Sequence, residues 1–288
     1  ARHDGLDTYA AVKLLTRRTN MRPERFEMEA RVCARLDHPN IIRIFDYGIH
    51  EEVPYIITEW VNGGTLFDWV DRAGPQPIAQ VVPIALQSAE ALRFAHQKGV
   101  VHRDVKPDNI MFGDGMVKLM DFGMSKQQGV SDRQQITDAD LIIGPPMYMA
   151  PEQIEGKPVT PATDIYSLGL TLYFMLTGKN PYSAPNVASL LKSQLSQPLA
   201  SFSMTLEELG KPAAGHLDDV NRLETLIRRM TRKATTDRIQ VLDEVIATLE
   251  ALRRPTQRRQ VLEVATRFHR RPTDTPPGGG RSASASAS

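Results

Sequence analysis

The first sixty residues alternate short apolar stretches with polar breaks, which is typical of a small β-rich unit. Three stretches predict β-strands, at Tyr9–Leu15, Ile41–Phe45 and Pro54–Thr58. Between Glu24 and Leu36, apolar side chains recur at helical spacing behind a proline that suits a first helical turn. This segment is therefore predicted to be an amphipathic helix among the strands.

Helical patterns dominate the chain from about residue 60 to Leu252. A short helix is predicted at Leu66–Val70, and a long one at Ile78–Lys98 with Gly99 as its cap. Asp164–Leu176 is apolar nearly all round, which indicates a helix buried in a core. Strands first and helices later predict an α+β chain with a small β-rich lobe and a larger helical lobe.

Charge separates the end of the chain from the rest. The 288 residues contain 35 Lys plus Arg and 34 Asp plus Glu, a net charge of +1 that does not suggest nucleic-acid binding. Residues 253–288 carry +6 of this, which leaves −5 on residues 1–252. Because the terminal segment is rich in Pro, Gly, Ser and Arg, we expect it to be a disordered tail or linker. Its arginines and scattered apolar residues leave contact with an anionic membrane or a partner open as alternatives.

Cys33 is the single cysteine, which excludes an intrachain disulfide and any multi-cysteine metal site. On an apolar helix face we interpret it as a small core residue, with a redox-sensitive thiol as the alternative. No apolar run reaches the length of a membrane span, and the start at Ala1 shows no signal-peptide pattern. We therefore expect a cytoplasmic location, either free or as the cytoplasmic part of a membrane-anchored parent protein.

Four motifs stand in a specific order. His102–Asn109 (HRDVKPDN) is followed, twelve residues later, by Asp121–Gly123 (DFG); Ala11–Lys13 (AVK) lies upstream and Ala150–Glu152 (APE) downstream. Over residues 1–250, this set resembles the eukaryotic-like protein kinase family, and within it the bacterial serine/threonine kinases. The resemblance implies the bilobal protein-kinase-like fold, with an incomplete small lobe.

The resemblance also implies a chemistry, in which phosphoryl transfer from ATP depends on positioning and charge neutralisation. Lys13 would hold the α- and β-phosphates, and Glu29 would fix that lysine by an ion pair. Asp104 would accept the proton of the substrate hydroxyl, and Lys106 would steady the γ-phosphate. Asp121 and Asn109 would hold Mg²⁺, since carboxylate and amide oxygens suit this cation.

The same match places the adenine ring. Ala11 and Met111 would lie above and below it, Thr58 at its inner edge, and the backbone from Glu59 to Val61 beside it. ATP and Mg²⁺ are thus the expected ligands, protein hydroxyls the expected acceptors, and no nucleic acid is expected.

Other positions of the family concern assembly and regulation. Cys33, Ile44, His102 and Phe122 would form a stack between the lobes, with His102 as a packed residue. Glu152 and Arg238 would form a buried ion pair, and Asp164 would brace the catalytic loop. Residues 124–150 would be an activation segment, in which Arg103 implies switching by phosphate. Thr137 is the best-placed acceptor there, with Ser125 and Ser131 weaker, and autophosphorylation in trans would involve self-association.

The chain departs from the family at two places. Only twelve residues precede Lys13, so the family's glycine-rich loop is missing; we interpret this as truncation, with natural loss as the alternative, and expect weak ATP binding by this chain. Pro145 stands where the family has a threonine, which leaves the serine/threonine preference resting on Lys106. The alternatives to a kinase are a pseudokinase that binds or scaffolds, and a phosphotransferase for small molecules.

Overall fold

The structure is a computed structural model that describes residues 1–3, 8–14, 27, 30–113, 115–122, 146–208, 210 and 217–253. Among these residues, four strands come first and helices follow with one β-hairpin between them, in agreement with the α+β prediction. Among the described residues, no helix combines the length and apolar character needed to cross a bilayer. The predicted tail begins where the described residues end.

The small lobe is built on an antiparallel sheet with the strand order β1-β2-β4-β3. Its strands are β1 (Arg2–His3), β2 (Thr8–Leu14), β3 (Ile44–His50) and β4 (Val53–Glu59). In β2, Ala11 pairs with Thr58 and Lys13 with Ile56, so alternate residues of the two strands share one face. Ile56 is buried there against Ala30. Residues 30–33 are helical.

The larger lobe is helical with one short hairpin. Its helices are α1 (Leu66–Ala73), α2 (Ile78–Gln97), α3 (Pro151–Ile154), α4 (Pro161–Thr177), α5 (Val187–Ser196), α6 (Phe202–Glu208), α7 (Leu217–Met230) and α8 (Leu242–Leu252). The hairpin consists of β5 (Ile110–Gly113) and β6 (Met116–Leu119). Helix α4 is buried along nearly its whole length, as its all-round apolar pattern predicts, and α2 packs against α4 and α8.

Sequence patterns placed two element boundaries wrongly. The strand predicted at Ile41–Phe45 runs over Ile44–His50 instead, because Ile41 forms a bridge to Leu119 of the other lobe. Both residues of the following turn, Glu51 and Glu52, have positive φ angles, of 48° and 63°. Turns with such angles normally have Asn or Gly at these positions. The helix predicted to reach Leu36 is helical only to Cys33 among its described residues and ends in tighter turns, in which Leu36 donates to the carbonyl of Cys33.

The remaining boundaries agree within a few residues. Helix α2 ends at Gln97, and Gly99 follows with a φ of 74°, a left-handed conformation that glycine adopts without steric cost. A loop at residues 38–42 joins the lobes: the side-chain amide of Asn40 donates to Gln87 and to the carbonyl of Val117, each at 2.8 Å. The sheet is thereby held over the β5–β6 hairpin.

Candidate functional site

Three residues of the motif at 102–109 meet on the loop between α2 and β5. The Nζ atom of Lys106 lies 2.8 Å from Oδ2 of Asp104, and the amide of Asn109 donates to the same oxygen at 3.0 Å. Asn109 also donates to the backbone carbonyl of Asp104 at 2.8 Å, from a short 3₁₀ turn that Pro107 begins. The loop thus brings together a carboxylate, an ammonium group and an amide.

A buried carboxylate supports this loop from below. Asp164, fully buried on α4, accepts hydrogen bonds from the backbone N–H groups of His102 and Arg103, both at 2.8 Å. Its Oδ2 also lies 2.7 Å from Nε2 of His96 on α2. Arg103 has a φ of 69°, which a side chain tolerates only where neighbouring contacts impose it. Asp164 supplies such contacts, as the sequence predicts.

Lys13 and Asp121 face each other across the two lobes. The Nζ atom of Lys13, on β2, lies 2.6 Å from Oδ1 of Asp121, which follows β6. Asp121 also has a positive φ, of 63°. Glu29, the predicted partner of Lys13, lies outside the described residues, so that ion pair stays a prediction.

A cavity of about 660 Å³ opens between the lobes, within the usual size range for small-molecule sites. Its lining includes every residue predicted to contact adenine, together with both members of the cross-lobe ion pair: Ala11, Lys13, Thr58, Glu59, Val61, Met111 and Asp121. Asp104 and Asn109 do not line it. The residues predicted to bind the nucleotide and the residues of the catalytic loop therefore form two adjoining groups.

The cavity also contains Trp60, which belongs to the predicted stretch from Glu59 to Val61, and Gly63, which motif reasoning missed. Trp60 stands at its mouth with 55% of its surface exposed. Gly63 lines it too, and a Cβ atom there would lie 1.8 Å from the carbonyl oxygen of Phe112. The Asn62-Gly63-Gly64 break before α1 was a sequence signal for this close approach, but the pattern indicates only a turn.

The side chain of Glu59 is engaged away from the cavity. It accepts two hydrogen bonds from Nζ of Lys118, at 2.8 and 3.0 Å, and one from the backbone N–H of Arg43 at 2.7 Å. Lys118 belongs to β6, so this ion pair ties the segment joining the lobes to the helical lobe. The backbone N–H of Glu59 also donates to the carbonyl of Arg43, at 2.9 Å, so the contact of its backbone with adenine stays a prediction.

Three of the four residues of the predicted stack between the lobes, Cys33, His102 and Phe122, are in contact. The rings of His102 and Phe122 lie 4.3 Å apart, and Sγ of Cys33 donates to the carbonyl of Phe122 at 3.5 Å. Burial lowers the pKa of His102. As a neutral ring it donates from Nε2 to the carbonyl of Met120 at 2.9 Å, and its Nδ1 accepts the N–H of Asp104 at 3.3 Å. His102 is therefore a packed residue that orients the loop.

Glu152 and Arg238 form the predicted buried ion pair. Two guanidinium nitrogens donate to the two carboxylate oxygens at 2.7 and 3.0 Å, and Thr163 donates to Glu152 at 2.8 Å. Burial raises the pKa of Glu152, but the hydrogen bond and charge of Arg238 outweigh this and hold the pKa below its ordinary value. The predicted phosphate acceptors Thr137, Ser125 and Ser131, and also Pro145, lie outside the described residues.

The residues available for Mg²⁺ fit that ion in number and kind. Asp121 offers a carboxylate and Asn109 an amide oxygen, both hard oxygen donors. In the described part of the chain, no three or more His, Cys, Asp or Glu side chains are grouped so that they alone could hold a metal ion. Mg²⁺ is usually held by one or two protein ligands together with substrate phosphates, so this donor set suffices.

Comparison with known proteins gives a consistent result. The protein kinase domain family matches residues 1–248. The chain is 41% identical over 171 residues to the serine/threonine-protein kinase PknB of Mycobacterium leprae, which covers 58% of this chain and 27% of that protein. It is 32% identical over 258 residues to a probable serine/threonine-protein kinase of Clostridium perfringens, which covers 88% of this chain and 36% of that protein. The match thus spans about a third of the length of these relatives.

Proposed function

Because the chain belongs to the protein kinase domain family, we propose that it transfers the γ-phosphate of ATP to serine and threonine hydroxyls of proteins. The relatives above carry the name of serine/threonine kinases, and Lys106 is the residue that this class has beside its catalytic aspartate. The observation that carries the proposal is the approach of Lys106 to Asp104 at 2.8 Å, next to the cavity that Lys13 and Asp121 line.

Each charged residue has one task in this reaction. Lys13 binds the α- and β-phosphates, and Asp104 accepts the proton as the acceptor oxygen bonds to the γ-phosphorus and the bond to the ADP oxygen breaks. Lys106 neutralises charge that develops on the transferred group. Asp121 and Asn109 hold Mg²⁺, which supplies further charge neutralisation at the phosphates when bound.

The same proposal covers regulation and location. Arg103 lies beside Asp104, and a phosphate added at Thr137 would supply about −2 charge for an arginine to pair with. We propose that this phosphate is added by a second copy of the protein, in the cytoplasm. The test measures, by mass spectrometry, the phosphate gained by the activation segment during incubation with ATP at two protein concentrations. If one copy phosphorylates another, the phosphate gained per molecule should rise faster at the higher concentration.

Transfer itself is tested with the full-length gene product, Mg²⁺ and labelled ATP, on peptides that offer Ser, Thr or Tyr. Asp104→Asn should lower transfer about 10²- to 10⁴-fold, the usual contribution of a general base. Asp71→Asn on α1, an exposed aspartate, is the matched control and should leave it unchanged. Full activity of Asp104→Asn would contradict the assigned role.

Nucleotide binding is measured separately by fluorescence, because Trp60 stands at the cavity mouth and the second tryptophan, Trp69, is buried. Binding of ATP should change the Trp60 signal, and Trp60→Phe should remove that change. Nucleotide binding without transfer to any acceptor would identify a pseudokinase. Transfer to small alcohols in preference to peptides would identify a small-molecule phosphotransferase.

A further inference from the structure

The segment Pro146–Ala150 lies beside the catalytic loop but outside the nucleotide cavity. None of its residues lines the cavity. Gln153, buried on α3, accepts the N–H of Ala150 at 3.0 Å and donates to the carbonyl of Arg103 at 2.9 Å. One side chain thereby ties the segment to the residue that precedes Asp104. The segment is thus linked to the catalytic loop next to Asp104 and does not line the nucleotide cavity, so we expect the acceptor to approach along it.

This segment has neither helical nor strand structure, so side chains must hold its backbone. The Nε2 atom of Gln194, on α5, donates to the carbonyl of Pro146 at 2.7 Å and to that of Met149 at a longer 3.4 Å. Ser167 on α4 donates to the carbonyl of Tyr148 at 2.8 Å. Three carbonyls in four residues are thus fixed by two buried side chains.

The orientation of the Gln194 amide follows from its partners. Carbonyl oxygens only accept, so the NH₂ group must face Pro146 and Met149. The Oε1 atom is buried and has no hydrogen-bond partner among the described residues. Leaving such an oxygen unpaired costs about 1–3 kcal/mol, so an amide at this buried position is not explained by packing alone. What it provides is the pair of donors to the segment.

Gln194 is itself held in place from the other side. Its backbone carbonyl accepts a hydrogen bond from Nζ of Lys233. Lys233 also donates to the hydroxyl groups of Tyr166 at 3.0 Å and Tyr182 at 2.7 Å. All three N–H groups of the ammonium are used, and they fix the end of α5 to α4 and to the loop that contains Tyr182.

We propose that Gln194 is a positioning residue for the protein acceptor, which it serves by fixing the backbone of Pro146–Met149 beside Asp104. This inference rests on the proposed kinase function and names a residue that none of the four motifs contains. It predicts that Gln194 acts on use of the acceptor and not on nucleotide binding, because the cavity and the segment are separate.

The test measures KM for peptide and for ATP with the full-length protein. Gln194→Met keeps the size and removes the donors; it should lower kcat/KM for peptide about tenfold, the equivalent of about 1.4 kcal/mol and within the range of a hydrogen bond. The KM for ATP and the fluorescence change of Trp60 should stay unchanged. Gln194→Glu, which sets a carboxylate against two carbonyls, should be more severe. Gln197→Met, at an exposed position after the same helix, is the matched control.

A second variant keeps the proposal testable if these proteins fold poorly. Ser167→Ala removes, of the three bonds to the segment, only the one to Tyr148, together with a longer bond to the carbonyl of Thr163 within α4. It should raise the KM for peptide in the same direction, by a few-fold. Normal peptide kinetics in Gln194→Met would overturn the proposal while the kinase function stands. Equal losses toward peptide and ATP would also overturn it, since they indicate a general structural role. Absence of any transfer by the unaltered protein would overturn the kinase function and this inference together.

Discussion

The ammonium group of Lys13 lies 2.6 Å from the carboxylate of Asp121, although the two residues belong to different lobes. Their sequence-predicted tasks concern the same ligand, since Lys13 is expected to bind phosphates and Asp121 the Mg²⁺ that those phosphates hold. The ion pair shows that the two lobes are close enough for both to act on one polyphosphate. Lys13 is also 46% exposed, so water and ligand can reach it.

Lys13→Met should therefore weaken the use of ATP without unfolding the protein. A charge-assisted hydrogen bond is worth about 1.5–3 kcal/mol, so kcat/KM for ATP should fall by about 10- to 100-fold. Steady-state kinetics at varied ATP checks this. Lys192→Met, at an exposed position on α5, is the matched control. Unchanged kinetics in Lys13→Met would remove Lys13 from the site.

Glu152→Gln should destabilise the protein strongly, because it leaves the buried guanidinium of Arg238 facing a neutral amide. Breaking a buried pair in this way costs about 3–5 kcal/mol. Urea unfolding at neutral pH measures it. Glu155→Gln is the control, since Glu155 pairs with Lys157 in solvent and its loss should cost less than about 1 kcal/mol. Equal stability of the two variants would show that the Glu152–Arg238 pair contributes little.

The depressed pKa of Glu152 gives the same pair an acid dependence. Its folded-state pKa lies below the unfolded value, so the unfolded chain binds the extra proton first as the pH falls. The stabilisation is complete above the unfolded pKa and is lost as the pH drops through the folded one. Below that range the gap in unfolding free energy between wild type and Glu152→Gln should shrink.

The order of strands and helices and the meeting of the catalytic-loop residues could both be predicted from the sequence, whereas two element boundaries could not. Asp104, Lys106 and Asn109 lie within five residues of one another, so local spacing determines their meeting. Asp121 follows Asn109 by twelve residues, with the β5–β6 hairpin between them. Patterns failed at Ile41, whose apolar side chain serves a contact with Leu119 and not a local strand.

Contacts between distant residues could be predicted only where the family resemblance implied them, as for Glu152 and Arg238. Gln194 and Pro146 are 48 positions apart, and Glu59 and Lys118 are 59 apart. A glutamine or an ion pair carries no periodic signal, and its partner is selected only when helices and hairpin pack together. These contacts position the motif residues, so the candidate residues could be identified from the sequence while much of what supports them could not.

Gly63→Ala should disturb the floor of the cavity. The new Cβ would lie 1.8 Å from the carbonyl oxygen of Phe112, which is backbone and cannot rotate away. Overpacking of this kind costs about 1–3 kcal/mol, and here the shift would reach the cavity wall. We expect a lower midpoint of urea unfolding and a raised KM for ATP.

Gly99→Ala provides the comparison for that variant. Gly99 has a φ of 74° and no atom within 4 Å of its would-be Cβ, so alanine there costs about 1–2 kcal/mol through backbone strain alone. Its KM for ATP should stay normal. A normal KM in Gly63→Ala as well would show that the cavity wall adapts to the added methyl group.

Lys233 should make stability depend on pH in the alkaline range. Burial lowers its pKa to about 8, with a further contribution from the nearby charge of Arg238. Between about pH 8 and its ordinary pKa of 10.5, the unfolded chain holds a proton that the folded protein has released. The unfolding free energy should therefore rise with pH in the wild type, relative to Lys233→Met. Urea unfolding at pH 7.5, 8.5 and 9.5 measures this difference.

The upper limit of that window comes from the tyrosines that face Lys233. Burial raises the pKa of Tyr182 to about 12 and holds that of Tyr166 well above its ordinary value. Above pH 10 their loss of protons on unfolding therefore opposes the lysine effect. Below pH 10 the lysine dominates. Lys192→Met, which removes an exposed lysine, should keep the wild-type slope. If Lys233→Met keeps it too, the ammonium is not held in the low-polarity position that its contacts with Tyr166, Tyr182 and Gln194 imply.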